Sequence, residues 1–436
     1  MSLFKSALFQ QGAWISAASF AGGMACYLVH LFAQRLGPEQ YGVFTAGIRL
    51  VEMISWPALG LQTVMAQRAA AVRTGVDEGS FFALRNGLLK RVFFLWAVLV
   101  LAAVLGAQPI CDHLRISSAV GAWVLVASLG AVLVPVLGGE LQGRQFFGAL
   151  GAIFLLNGVT RLLVAAVGIV YFSQSAPAGM VGVAAGFLAA AAVAWFALPR
   201  AAKLISADVD WKGWFKDLLP LSVGAGAGVF LFGMDMIVVK RHLTEKDAGL
   251  YAAASTVGRV LPLLLGPLIG VMFPKIVRAG SRAEAGAILR QTLLMTGAGC
   301  VLMVGGLWLW PELPLRLARF KPEYLSIAPL IPKLALAMVP LVLAGALVNC
   351  LLALRDYRIV PWLGVLCVAA FFMMDYVCQK LAARSPVEFD WVAAQLGAVN
   401  LFYLGLAMFF WNLPQRGAVA GRAGVDTAKF PAGGTA

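Results

Sequence analysis

Residues 36–70 read LGPEQYGVFTAGIRLVEMISWPALGLQTVMAQRAA. An apolar stretch long enough to cross a bilayer follows a short polar entry, carries Arg49 and Glu52 inside it, and ends on a basic residue. The motif returns 207 residues later, where LTEKDAGLYAA (Leu243–Ala253) falls on LGPEQYGVFTA (Leu36–Ala46). Leu36 meets Leu243, Gly42 meets Gly249, Phe44 meets Tyr251 and Ala46 meets Ala253. Further on, Leu61 meets Leu268, Met65 meets Met272 and Arg68 meets Lys275. The chain is therefore read as two copies of one unit.

The surroundings of both copies set the class. Of 436 residues, 61% are hydrophobic and 12% charged, about half the charged share of a soluble protein. Apolar runs are separated by short polar loops, and a run of about 20 residues spans a bilayer core as a helix. The expected spans are 14–33, 42–64, 92–111, 119–142, 151–172 and 179–199, then 218–239, 248–272, 291–310, 328–353, 359–379 and 392–411. The expectation is an all-α polytopic membrane protein of about twelve helices. It has a six-helix lobe over 1–199, a cytoplasmic linker over 200–217, a second lobe over 218–411 and a disordered tail over 412–436. Six is even, so both lobes insert with the same orientation, related by a pseudo-twofold axis along the membrane normal with a cavity between them.

Lysine and arginine fix the orientation. With both termini cytoplasmic, the inner segments hold 20 of these residues and the outer loops 10. The net charge of +14 then reads as topology and contact with anionic lipid. Basic residues spread over many loops without interleaved aromatics argue against a nucleic-acid partner. The inner segments 66–91 and 273–290 carry basic and apolar residues at helical spacing, which suits helices lying along the inner leaflet or plain topogenic loops. The six cysteines lack CxxC spacing and His30, His113 and His242 lie far apart, so neither metal nor cofactor is expected.

The two quoted regions, 36–70 and DMIVVKRHLTEKDAGLYAAASTVGRVLPLLLGPLIGVMFPKI over 235–276, resemble the openings of the two halves of Wzx-type lipid-linked oligosaccharide flippases. Those flippases belong to the multidrug/oligosaccharidyl-lipid/polysaccharide exporter superfamily. The resemblance in hydropathy extends over all twelve spans. It implies a MATE-like, V-shaped pair of lobes in a bacterial inner membrane. It also implies alternating access and outward movement of an undecaprenyl-diphosphate-linked sugar, with a proton or sodium ion as coupling ion. Lipid II flippases resemble the chain too, but usually carry two additional helices. Multidrug antiporters of the superfamily often place an acidic residue in the first helix, and Trp14–Ala33 has none. A cation-coupled exporter of small amphiphiles is the second reading. An enzyme is disfavoured because the outer loop Pro311–Ile327 holds no catalytic set.

Charges inside the spans are costly and so mark function or pairing. Arg49 and Glu52 share one helix face, and Arg259 occupies the position of Glu52 in the second copy. Glu52 and Arg259 lie roughly 15 Å deep by helical rise. Arg161, one turn from Asn157, is near the centre of the fifth span. Guanidinium forks match diphosphate oxygens, so Arg49, Arg161 and Arg259 are the expected headgroup ligands. Internal pairing, Arg49–Glu52 or Glu52–Arg259, is the competing role. Asp235 is expected to pair with an arginine or accept a coupling proton, and Asp375 to reach the outer interface. Lys333 is expected to snorkel. Pro57, Pro262, Pro267 and Pro340 mark places where spans can kink. The tryptophans read as interface anchors.

Overall fold

A computed structural model describes residues 7–72, 75–199, 209–279, 281–384 and 387–414. Most of the expected linker (200–208) and tail (415–436) lie outside the described residues. Among those residues there is no strand. The helices are α1 (Ala7–Leu28), α2 (His30–Ala33), α3 (Gly37–Ser55), α4 (Ala58–Ala71), α5 (Gly75–Leu105), α6 (Ala107–Leu114), α7 (Ser118–Gly143), α8 (Phe147–Val167) and α9 (Ala176–Ala197). The second half gives α10 (Trp211–His242), α11 (Glu245–Gly258), α12 (Val260–Arg278), α13 (Arg282–Leu309), α14 (Leu313–Leu317), α15 (Leu330–Ala353), α16 (Val360–Leu381) and α17 (Asp390–Asn412). Ten helices among the described residues are long and apolar enough to cross a bilayer. The first two expected spans are α1 and the α3–α4 pair.

Three expected boundaries move. Residues 75–91 continue into α5 and residues 282–290 into α13, so each is the start of a spanning helix rather than a separate surface element. The seventh span begins at Trp211, inside the expected linker, where Asp210 caps α10 by accepting from the Gly213 N–H. The reason is common to all three: nothing in these stretches breaks a helix, and a polar face at the membrane surface does not end one.

Proline does interrupt the second span of each half. Pro57 cannot donate to the carbonyl of Met53, and α3 gives way to α4 around Trp56 and Pro57. In the second half the break falls at Arg259 (φ −90°, ψ 7°), between α11 and α12 and three residues before Pro262. Pro340 leaves α15 continuous.

The same pairs of helices touch in both halves. In the first, α1 packs on α8, α8 on α9, α7 on α9, α4 on α7 and α3 on α7. In the second, α10 packs on α16, α16 on α17, α15 on α17, α12 on α15 and α11 on α15. The halves meet along two seams. At one, α3 crosses α11 at Gly42 and Gly249, where a Cβ on Gly42 would lie 3.1 Å from the Gly249 Cα. At the other, α10 runs antiparallel along α3 and α4. Gly233 faces Arg49, Gly226 lies against the Trp56 indole, and Ser222 donates to the Pro57 carbonyl at 2.9 Å. Small residues let helices approach in lipid, where packing replaces the hydrophobic effect as the driving force.

Candidate functional site

The broken second spans carry the interior charges. Arg49 donates to Glu52 at 2.6 Å, one turn along α3. Arg259, at the α11–α12 break, pairs with Asp235 of α10, which also accepts from the Tyr251 hydroxyl. Asp235 is fully buried, Arg259 is 3% exposed and Arg49 is 7% exposed. The Glu52 side chain is 36% exposed. Of the two pairings expected for Glu52, the structure makes the one with Arg49, and Arg259 takes Asp235 instead.

Phe232 joins the two pairs. The Arg49 Cζ lies 4.6 Å from its ring centroid and the Arg259 Cζ 5.3 Å, so one aromatic ring of α10 contacts guanidinium groups from both halves. Sequence reasoning overlooked Phe232; its place one turn before Asp235 was the available signal. Tyr251 was also missed. The repeat aligns it with Phe44, and the added hydroxyl is what reaches Asp235.

Arg161 differs from both. It is 8% exposed, its Cζ lies 5.9 Å from the Phe187 ring, and its Nε makes no hydrogen bond. Among the buried cations of the described residues, Arg161 alone has no carboxylate within ion-pair distance. Asn157, one turn away, leaves its Oδ1 unpartnered. The Arg161 side chain packs beside Gly186 of α9, in the first half. Two carboxylates against three guanidinium groups leave these residues with one positive charge in excess.

Asp375 lies away from this cluster. It binds Arg241 at 3.0 Å and His242 at 2.7 Å, at the end of α10. Lys333 reaches Asp390 at 2.5 Å on an exposed face. A further buried network was not foreseen: Glu140, fully buried, lies 3.4 Å from Arg85 and 2.9 Å from Arg144, and Arg144 binds Glu78 at 2.7 Å. Arg85 also donates to the Pro199 carbonyl at 3.1 Å. This network staples α5, α7 and the end of α9 together. A glutamate inside the fourth span, four residues before an arginine, was the legible sign of it.

An apolar groove of about 510 Å³ opens between α10 and α16. Trp56, Gly226, Phe230, Cys367 and Phe371 line it. On α10 the groove takes the face of Gly226 and Phe230, whereas Asp235, nine residues beyond Gly226, projects from the opposite face. Among the described residues no group of His, Cys, Asp and Glu could hold a metal ion.

The fold is that of MATE and related MOP-superfamily transporters. The chain is similar to the inward-facing conformation of a multidrug resistance MATE family transporter of the MOP superfamily, at TM-score 0.71 and 9% identity over 91% of this chain and 93% of that one. It is similar to the lipid II flippase MurJ in an inward closed conformation, at TM-score 0.68 and 14% identity over 91% and 86%. An outward-facing multidrug resistance MATE family transporter matches at TM-score 0.63 and 9% identity over 94% and 96%. No protein-family model matches the sequence, and no curated protein matches it. The solved neighbours are transporters and flippases, not enzymes.

Proposed function

We propose that the chain moves an undecaprenyl-diphosphate-linked oligosaccharide from the cytoplasmic to the outer leaflet of a bacterial inner membrane, both termini being cytoplasmic. The halves rock about the α3–α11 and α10 seams in alternating access. The diphosphate is held by Arg161 and, once their carboxylates yield, by Arg49 and Arg259. The observation that carries this reading is Arg161: a guanidinium buried without a carboxylate is costly, and an anionic ligand removes that cost. The apolar groove between α10 and α16 suits the lipid part of an amphiphile.

Multidrug export of cations is the second reading, favoured by the MATE neighbours. It fits less well, because each carboxylate in the cluster is already held by an arginine. Binding to the purified protein separates the two. A short-chain prenyl-diphosphate sugar should bind, and Arg161→Gln should weaken it by roughly 10- to 100-fold, the worth of a charge-assisted hydrogen bond. Cationic dyes should not compete. Tight dye binding abolished by Asp235→Asn, with no affinity for the diphosphate, would select the multidrug reading.

A further inference from the structure

A second groove, of about 410 Å³, runs between α13, α15 and α17 of the second half. Gly286, Arg290 and Gly297 of α13, Leu347 of α15, and Leu404 and Trp411 of α17 line it. It opens on the lipid-facing surface, since Leu294 and Met408 on its rim are 68% and 50% exposed. Its polar members, Arg290 and Asn412, lie toward the end where α13 begins and α17 finishes. Arg282 closes that end: it donates to the Trp411 carbonyl, and its Cζ lies 4.9 Å from the indole centroid. Toward Gly297 the lining is apolar, and no aspartate or glutamate lines the groove anywhere along it.

The dimensions are those of one leaflet. From Gly286 to Gly297 the groove follows about 16 Å of helix, and half of a bilayer core is about 15 Å. α13 has 28 residues, about 42 Å of helix, against a core of roughly 30 Å. Its first turns therefore stand in the headgroup layer, and Arg290, eight residues after Arg282, lies near the inner edge of that layer. Arg290 is exposed, and among the described residues it makes no hydrogen bond, ion pair or ring contact. A guanidinium at that depth extends toward phosphate oxygens, the charged acceptors the layer offers. The glycines leave a bed below it: a Cβ on Gly297 would meet nothing within 4 Å, and one on Gly286 would stand 3.6 Å from the Trp411 indole.

We propose that this groove is a resident site for one anionic phospholipid of the leaflet at which α17 ends, with its phosphate on Arg290 and an acyl chain laid along Gly297 toward the midplane. Length and polarity match: the groove is one leaflet deep, polar at the surface and apolar within. Its one unpaired charge sets the sign of the headgroup. A zwitterionic lipid also offers a phosphate, but it brings a cation of its own beside Arg290. The anionic lipid therefore gains about the attraction of one basic residue, roughly fivefold in occupancy. The basic-residue count assigns the site to the cytoplasmic leaflet. The site stands apart from the diphosphate reading and does not depend on it.

Quenching of tryptophan fluorescence by acyl-brominated lipids tests this, with the full chain in phosphatidylcholine vesicles. The chain has 12 tryptophans, so the Trp411 signal is taken as the difference between each protein and the same protein carrying Trp411→Phe. Brominated phosphatidylglycerol should half-quench that signal at a mole fraction roughly fivefold lower than brominated phosphatidylcholine requires. Arg290→Gln should bring the two midpoints together, and Arg290→Lys should keep most of the difference. Gly297→Leu, which fills the bed, should raise both midpoints. Equal midpoints in the wild type overturn the proposal. So does a preference unchanged by Arg290→Gln, which assigns the attraction to the surrounding basic loops. Midpoints unmoved by Gly297→Leu overturn it by putting the lipid outside the groove. Quenching by neither lipid overturns it in favour of a second protein chain seated there.

Discussion

At the scale of single residues, two interior ion pairs differ in the burial of their carboxylates. Asp235 has no exposed surface and accepts from both Arg259 and Tyr251. Glu52 remains partly open to solvent beside Arg49. Asp235→Asn therefore strands a guanidinium closed off from solvent, a cost of about 3–5 kcal/mol, whereas Glu52→Gln leaves Arg49 an acceptor that is partly open to solvent and should cost less. Thermal unfolding in detergent should rank the variants in that order, and the reverse order would contradict the burial argument. Transport gives a second reading of the same pairs. Arg49→Ala removes a headgroup ligand, but it also leaves Glu52 unpaired. The double variant with Glu52→Gln discriminates: if it recovers full activity, Arg49 serves only to neutralise its neighbour. The sequence made the depth of these charges legible, because Arg49, Glu52, Arg161, Asp235 and Arg259 all interrupt apolar runs. Partner choice was not legible. Asp235 and Arg259 are 24 residues apart and meet only because α10 and α11 pack side by side. The excess charge at Arg161 emerged only when the other buried cations of the described residues had found their carboxylates.

At the scale of elements, the repeated glycines explain how the halves approach. Gly42 and Gly249 were paired by sequence alignment, and they are also in contact in space, which places the α3–α11 crossing close to the axis relating the copies. A Cβ on Gly249 would collide with the Pro38 backbone. Gly249→Val should therefore separate α3 from α11 at a cost of roughly 1–3 kcal/mol and raise reagent access to a cysteine introduced at Thr256. Gly405→Ala, on a surface of α17 with nothing near its added methyl, is the control and should change neither quantity. Unchanged access in Gly249→Val would mean that this crossing does not close the seam. Helix existence was readable from hydropathy because lipid enforces it. Helix ends were not, since residues 75–91 and 282–290 carry charge yet stay helical at the membrane surface. The proline breaks were readable as positions. That the second break would put Arg259 itself at the discontinuity depends on which carbonyl Pro262 leaves free, that of Gly258.

At the scale of the molecule, the basic-residue bias predicts that the α3–α11 end faces outward. Single cysteines at Lys246 and Lys275, both exposed, test the orientation in a background lacking native cysteine. An impermeant reagent applied outside intact cells should label position 246 and spare position 275. Opposite labelling would invert the protein and the direction of export. Movement of a lipid-linked diphosphate is measured as its flipping in proteoliposomes. A fluorescent undecaprenyl-diphosphate sugar is followed by a quencher that reaches only the outer leaflet. Wild-type protein should make the inner-leaflet pool accessible faster than empty vesicles do, and Arg161→Gln, inserted in equal amount, should slow this by at least roughly tenfold. Wild-type vesicles that flip no faster than empty ones, or an Arg161→Gln variant that flips as fast as wild type, would contradict it.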